Sequence, residues 1–278
     1  MKLFEALKLA ENMLKNKGID DFSSDARFLL LDCYNLKSSD FIINKNMEID
    51  EKPFLKMVEK RIEGMPVQYI TGKTEFMSLD FAVNENVLIP RQDTELTVEK
   101  IIGEYKEKEP KILDICTGSG CIAISLAKYL NGEVYAFDIS EKALEVAKKN
   151  NERNNTKVTF FKDNALLPEN DLKGFDVVVS NPPYIESEVV EGLDSIVKDK
   201  EPRLALDGGT DGLDFYRKIT PYAYKVLKNG GKLFFEIGYN QGETVSQILK
   251  ENGFENVCVE KDYNNNDRLV YGIKGDVN

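Results

Sequence analysis

The chain has 278 residues, 42% of them hydrophobic and 31% charged, which is enough apolar mass for a full core. No stretch approaches the roughly 18 consecutive apolar residues that a membrane span needs. With 48 acidic against 37 basic side chains the net charge is −11, a field that repels a phosphate backbone, and the absence of histidine removes His-containing triads and zinc sites. The cysteines, Cys33, Cys116, Cys121 and Cys258, form no Cys-x-x-Cys pair, so reduced and mostly buried thiols are expected. The first residues mix charges into a helical period without an uninterrupted apolar core, so no export is expected. The expectations are therefore a cytoplasmic monomer with no metal, no membrane contact and no direct nucleic-acid partner.

From Lys2 to about Glu63, apolar residues recur at threes and fours: Leu3, Leu7, Leu9, Ala10, Met13 and Leu14, then Ala26, Phe28, Leu29 and Leu30, later Phe54, Leu55, Val58 and Ile62. That is the period of amphipathic helices, and residues 1–65 are predicted to form a small helical domain. Residues 66–90 change to alternating or short apolar runs (Val67, Tyr69, Ile70; Phe76, Leu79, Phe81, Val83; Val87 to Ile89) broken by Gly72 and Asn84, which predicts a β-hairpin linker. A helix is predicted from Asp93 to Tyr105. Within 91–278, strand-like runs at 111–115, 133–138, 157–162, 175–180, 232–237, 256–260 and 268–273 mostly alternate with helical segments at 120–130, 140–152, 213–227 and 239–251. Such alternation predicts an α/β domain with a mostly parallel sheet covered on both faces, and ligands in such sheets bind beyond the carboxyl ends of the strands.

The first of these strands runs into Asp114-Ile115-Cys116-Thr117-Gly118-Ser119-Gly120 and then a helix. Two glycines one residue apart let the backbone pass close to a ligand, and the helix N-terminus favours a carboxylate or phosphate. A plain tight turn is the competing account. The second strand ends in Asp138, placed to accept hydrogen bonds from ribose hydroxyls, or alternatively to cap the helix beginning at Ser140 and Glu141. The missing third glycine and the Asp ahead of the turn fit a sulfonium nucleoside better than a dinucleotide.

The fourth strand ends in Asn181-Pro182-Pro183-Tyr184. The prolines fix the backbone and remove two N–H donors, so the loop presents acceptors in a rigid frame. A planar amide or amine can donate both N–H groups into it, one to the Asn181 side-chain oxygen and one to the Pro182 carbonyl, with Tyr184 as a flat wall. Amide nitrogen is a poor nucleophile, so positioning and electrostatics must carry the rate, which suits a chain without histidine. In isolation the tetrad is equally a stiff turn with a packed tyrosine.

The strand ending in Asp-x-x-x-Gly-x-Gly resembles the class I methyltransferase motif. The resemblance implies a Rossmann-like seven-stranded domain using S-adenosylmethionine and releasing S-adenosylhomocysteine. It puts the methionine part on Cys116, Thr117, Gly118, Ser119 and Gly120 beside Asp114, ribose on Asp138 with Ile139, and adenine near Asp163 and Asn164, where an exposed Asp-Asn turn is the alternative; Asn181 borders the same site. The tetrad resembles the signature of enzymes that methylate exocyclic amino groups of bases or glutamine amides. Residues 64–72, Glu75-Phe76, Leu88 to Glu95, and Glu201 to Leu206 with Gly208-Gly209 and Asp211-Gly212 resemble the PrmC (HemK) family over nearly the whole chain. That family methylates N5 of the glutamine in the Gly-Gly-Gln loop of bacterial peptide chain release factors. The resemblance implies release factors as partners, with Asn181, Pro182, Pro183 and Tyr184 as the glutamine clamp and the helical domain's outer surface helping to grip the protein. Gln92 stands where the family often has proline. Arg91 and Glu95 fit a helix-start ion pair, Glu201 and Arg203 fit a loop tether, and Lys148 to Asn155 reads as a solvated helix end. A nucleic-acid amino methyltransferase and a catalytically silent cofactor-binding module are the competing readings.

Overall fold

The computed structural model describes residues 1–193 and 200–275. Two compact units emerge, one holding Met1–Lys73 and the other beginning at Thr74. In the first, α1 (Leu3–Asn16), α2 (Phe22–Cys33) and α4 (Lys52–Ile62) bury Leu3, Ala6, Leu7, Ala10, Leu14, Ala26, Leu29, Leu30, Phe54 and Val58, with the short α3 (Ser38–Ile43) between α2 and α4 in the chain. Leu9 and Phe28 turn outward, 37% and 40% exposed, because the faces set by Leu3, Leu7, Ala10 and Leu14 and by Ala26, Leu29 and Leu30 leave them off the stripe. Arg61 Nε donates to Asp25 Oδ2 at 2.7 Å, pairing an acid on α2 with a base on α4.

The stretch Val67–Thr71 is a short helix, α5, where alternation had suggested extended chain. Pro66 fixes φ at its start, and Gly72 ends it in the left-handed region at φ 71°. The two-stranded hairpin itself is shorter than the predicted linker: β1 (Lys73–Phe76) and β2 (Leu79–Ala82), joined through Met77 and Ser78, both at positive φ. Phe76 and Phe81 pack edge to face with ring centres 6.1 Å apart. After a 3-10 turn at Gln92–Thr94 comes α6 (Glu95–Tyr105).

Among the described residues, seven strands make one sheet in the order β5-β4-β3-β6-β7-β9-β8: β3 (Lys111–Ile115), β4 (Glu133–Asp138), β5 (Val158–Lys162), β6 (Phe175–Ser180), β7 (Leu227–Glu236), β8 (Phe254–Lys261) and β9 (Asp267–Lys274). β9 runs antiparallel to both neighbours and the remaining pairs are parallel. The parallel strands read as continuous apolar runs because both faces are covered. On one face α6 and α7 (Cys121–Tyr129) bury Val98, Ile101, Ile122 and Leu126 against Ile112, Val134, Val177, Val179 and Phe234. On the other, α10 (Asp214–Val226) and α11 (Gly242–Glu251), which follow α8 (Glu141–Arg153) and the short α9 (Ser187–Gly192) in the chain, bury Tyr216, Ile219, Ala223, Val245 and Leu249 against Leu113, Val178, Leu233 and Phe235. The strand order reverses between β3 and β6, and the crevice beyond their carboxyl ends is the position where α/β sheets bind ligands. β7 begins five residues before the run 232–237, with Gly230 at φ 74° and a register shift against β6.

Candidate active site

Beyond β3 the backbone enters the left-handed region at Cys116, Gly118 and Gly120, with φ of 62°, 54° and 82°. The two glycines serve different ends. A Cβ on Gly120 would lie 2.9 Å from Ile124 Cδ1 and 3.2 Å from Ala147 Cβ, so that residue is set by the packing of α7 on α8 (Glu141–Arg153). A Cβ on Gly118 would meet nothing within 4 Å, because that residue faces open space. Thr117 Oγ1 donates to Asp114 Oδ2 at 2.6 Å, which folds the loop back over the end of its strand. Asp114 is fully buried, its Oδ1 has no hydrogen-bond partner among the described residues, and burial pushes its carboxyl up to about 7.

Asp138 closes β4 and reaches across to the same loop. Its Oδ2 accepts from Gly118 N–H at 2.9 Å and its Oδ1 from Ser140 N–H at 2.9 Å, so it organises both the glycine turn and the start of α8. Each oxygen keeps a lone pair, and burial raises the acid above its ordinary value. Asp163, beyond β5, is used within its own loop: it accepts from Asn164 N–H at 2.8 Å, Glu169 N–H at 3.2 Å, Asn170 N–H at 3.4 Å and Asn170 Nδ2 at 2.8 Å. Asn164 Oδ1 likewise accepts from Leu166 N–H at 3.0 Å. These two shape the wall at 163–166.

At the end of β6, Ser180 Oγ donates to the Ile115 carbonyl at 2.7 Å and ties the tetrad to the glycine strand. Asn181 Nδ2 donates to Thr94 Oγ1 at 3.3 Å. Gln241 holds the far side of the tetrad: Nε2 donates to the Tyr184 carbonyl at 3.0 Å and the Gly212 carbonyl at 3.2 Å, while Oε1 accepts from Gly238 N–H at 2.9 Å. Gly208 presses against the prolines so closely that a Cβ there would fall 2.8 Å from the Pro183 carbonyl. Burial pushes the Tyr184 phenol up to about 12, so it is no base at neutral pH.

A cleft of about 150 Å³ joins these parts. Of the residues singled out from the sequence, Cys116, Gly118, Asp138, Ile139, Asp163, Asn164, Asn181 and Pro183 line it. Asp114, Thr117, Ser119 and Gly120 stand behind the wall as its support, and Pro182 and Tyr184 are not part of the lining. The tyrosine packs into the core on the α10 side instead.

Sequence reasoning passed over Val87, Leu88, Leu166, Leu204 and Phe215, which supply the cleft's apolar surface. Exposed Leu166 and Leu204, 38% and 58% accessible, are loop leucines with no periodic pattern to mark them. Arg91 and Glu95 do not pair with each other. Arg91 Nη2 reaches both Glu201 oxygens at 2.7 Å, anchoring the segment that carries Pro202, Leu204 and Ala205 into the cleft, and Glu95 Oε1 accepts from Met77 N–H at 2.6 Å. Arg203 pairs with Asp207 and Glu191.

The "solvated" end of α8 is in fact partly core. Asn150 is fully buried: its Oδ1 accepts from Ala82 N–H at 2.6 Å, and its Nδ2 donates to the carbonyls of Ala82 at 3.0 Å and Ser119 at 2.9 Å. Asn154 Nδ2 donates to the Asp80 carbonyl at 2.9 Å. Both asparagines satisfy the open edge of β2.

The "Methyltransferase small domain" family matches residues 92–210, and the "PrmC N-terminal domain" family matches residues 5–72. A release factor glutamine methyltransferase of Clostridium acetobutylicum is 42% identical, with 99% of each chain covered. One from Moorella thermoacetica is 46% identical over 80% of this chain and 79% of its own. Among solved structures, a methyltransferase from Pyrococcus furiosus shares the fold at a TM-score of 0.55 and 21% identity, covering 72% of this chain and 91% of that one. Among the described residues no helix is long and apolar enough to cross a membrane. With full-length relatives at this level of identity, the chain belongs to the release factor glutamine methyltransferase family.

Proposed function

We propose that the chain transfers the methyl group of S-adenosylmethionine to the side-chain amide nitrogen of the glutamine in the Gly-Gly-Gln loop of peptide chain release factors, in the cytoplasm. The observation that carries this reading is that Asn181, an amide acceptor at a proline-stiffened strand end, borders the same cleft as Gly118 and Asp138. The names of the relatives supply the release factor as acceptor.

The residues fit the cofactor. Open space over Gly118 lets the methionine part approach the backbone, and the spare lone pairs of Asp138 suit two ribose hydroxyls. The wall at 163–166, with Leu166 and Val87, suits an adenine ring. Bound there, the cofactor supplies a sulfonium-activated methyl group.

The chain's own work is positioning. Asn181 Oδ1, on the cleft wall, accepts an amide hydrogen and so turns the nitrogen lone pair toward the methyl donor. The proton leaves to solvent during or after transfer. The clamp thus acts through alignment and electrostatics, without a strong base beside the nitrogen.

Incubating the enzyme with methyl-labelled S-adenosylmethionine and either release factor or DNA, then locating the label by mass spectrometry, tests the reading. Label on the Gly-Gly-Gln glutamine is expected; label on DNA alone refutes it.

A further inference from the structure

Behind the tetrad lies an acid that the methyl-transfer reading leaves unused. Glu236 ends β7 beside β6, where Ser180 registers with Phe235, so Glu236 and Asn181 are the residues that directly follow the last paired positions. Glu236 is 2% exposed. The Thr94 hydroxyl and the Asn181 amide approach its carboxyl and favour the charged form, while Oε2 has no hydrogen-bond partner among the described residues.

We propose that the Glu236 carboxylate fixes which end of the Asn181 side chain faces the cleft, and so serves as a positioning residue for the amide clamp. The inference rests on the proposed function, since it assigns a role to the same acceptor site. An ionised carboxylate has acceptors only, so the polar group it tolerates from Asn181 is the NH2 end. Asn181 Nδ2 also donates to Thr94 Oγ1 at 3.3 Å, which leaves the Thr94 hydrogen free to point at Glu236. Both contacts turn Asn181 Oδ1 toward the cleft, where an incoming amide needs an acceptor. A protonated Glu236 becomes a donor and can hold Oδ1 instead. The side chain then presents its NH2 end to the substrate's NH2 group, donor against donor, and the clamp fails.

The groups facing Glu236 decide when it carries its proton. Arg268 of β9 favours the anion, but that guanidinium also pairs with Asp93 at 3.3 Å and Asp262 at 3.2 Å. Asp93, ahead of α6, opposes the anion. Tyr184, Cys121 of α7 and Tyr216 of α10 stand nearby in uncharged form, their own ionisation raised by burial and by the acid, and Tyr216 Oη donates to the Glu236 carbonyl at 2.9 Å. Desolvation is the largest influence and pushes the carboxyl up to about 7.

The test follows kcat and KM for methyl transfer to release factor from pH 5.5 to 9 in wild type and Glu236→Gln, with the S-adenosylmethionine Kd measured by calorimetry. Wild-type kcat is expected to fall toward about tenfold per pH unit on the acid side of a midpoint near neutrality. Glu236→Gln, whose amide accepts and donates equally well, should lose about 100-fold in kcat and lose the acid limb, with KM and cofactor Kd within about twofold. Should Glu236→Gln fail to bind cofactor, Thr94→Val removes the bridging hydroxyl and is expected to lower kcat while the cofactor still binds. Wild-type kcat and an unaltered pH profile in a folded Glu236→Gln, or in Thr94→Val if that is the variant that folds, would overturn this inference alone. A wild-type enzyme that labels no glutamine at any pH would overturn the proposed function and this inference with it.

Discussion

Replacing Asn150 by alanine removes three hydrogen bonds at once, all to backbone groups. The Ser119 carbonyl lies in a residue that is only 3% exposed, so leaving it unpaired costs about 1–3 kcal/mol. The Ala82 N–H and carbonyl are half-buried and partly recoverable by water, at about 1 kcal/mol each. The expected loss is about 3–5 kcal/mol, a large share of a typical stability of about 5–15 kcal/mol. For a domain of this size it corresponds to a fall in Tm of roughly 6–20 °C. Because Ser119 belongs to the glycine loop, S-adenosylmethionine should also restore less of the Tm than it does in wild type. Calorimetric unfolding with and without cofactor reads both effects. Lys149→Ala, one residue away and exposed, is the control and should stay within about 0.5 kcal/mol of wild type. A fall of less than about 2 °C in Asn150→Ala, or an equal fall in the control, would refute the reasoning.

Asn181→Ala should lower kcat by about 100-fold while the S-adenosylmethionine Kd survives, whereas Asp138→Ala should weaken that Kd by at least about tenfold; kinetics paired with calorimetry separates the two. Gly118→Ala places a methyl group in the cleft and should cost cofactor affinity with about 1–2 kcal/mol of backbone strain, while Gly120→Ala adds a clash with Ile124 and Ala147 and should lose more stability, as compared by denaturant titration. Asp114, ordinarily near 3.8, holds its proton up to about 7 in the folded chain, so between these values the folded state binds more protons than the unfolded one. Its contribution is therefore present below about pH 4 and lost as pH rises toward 7, and Asp114→Asn should flatten that part of a Tm-against-pH curve.

The sheet was legible because its strands are buried on both faces and write themselves as unbroken apolar runs, such as FDVVVS at Phe175–Ser180. The glycine loop, Asp138 and Asn181 were legible because each sits at a strand end, where alternation stops. Other features had no local signature. Asn150 follows two lysines and looks like surface, yet its amide matches the donor and acceptor of a strand edge 68 residues away. Arg91 and Glu201 are 110 residues apart, and no spacing rule joins them. Val67 to Ile70 misled because a short apolar run has no period of its own, and Pro66 and Gly72 closed it as one helical turn. Glu236 was hidden as the last polar letter of an apolar strand.

Gln241 fastens three separate loops, through Tyr184, Gly212 and Gly238, with a single side chain. Loops joined in that way lose their independence: a shift in any one is transmitted to the others through one amide. Redesigning the acceptor specificity by grafting a new tetrad alone would therefore misplace its backbone, and the three loops and their common peg have to be exchanged as one cassette.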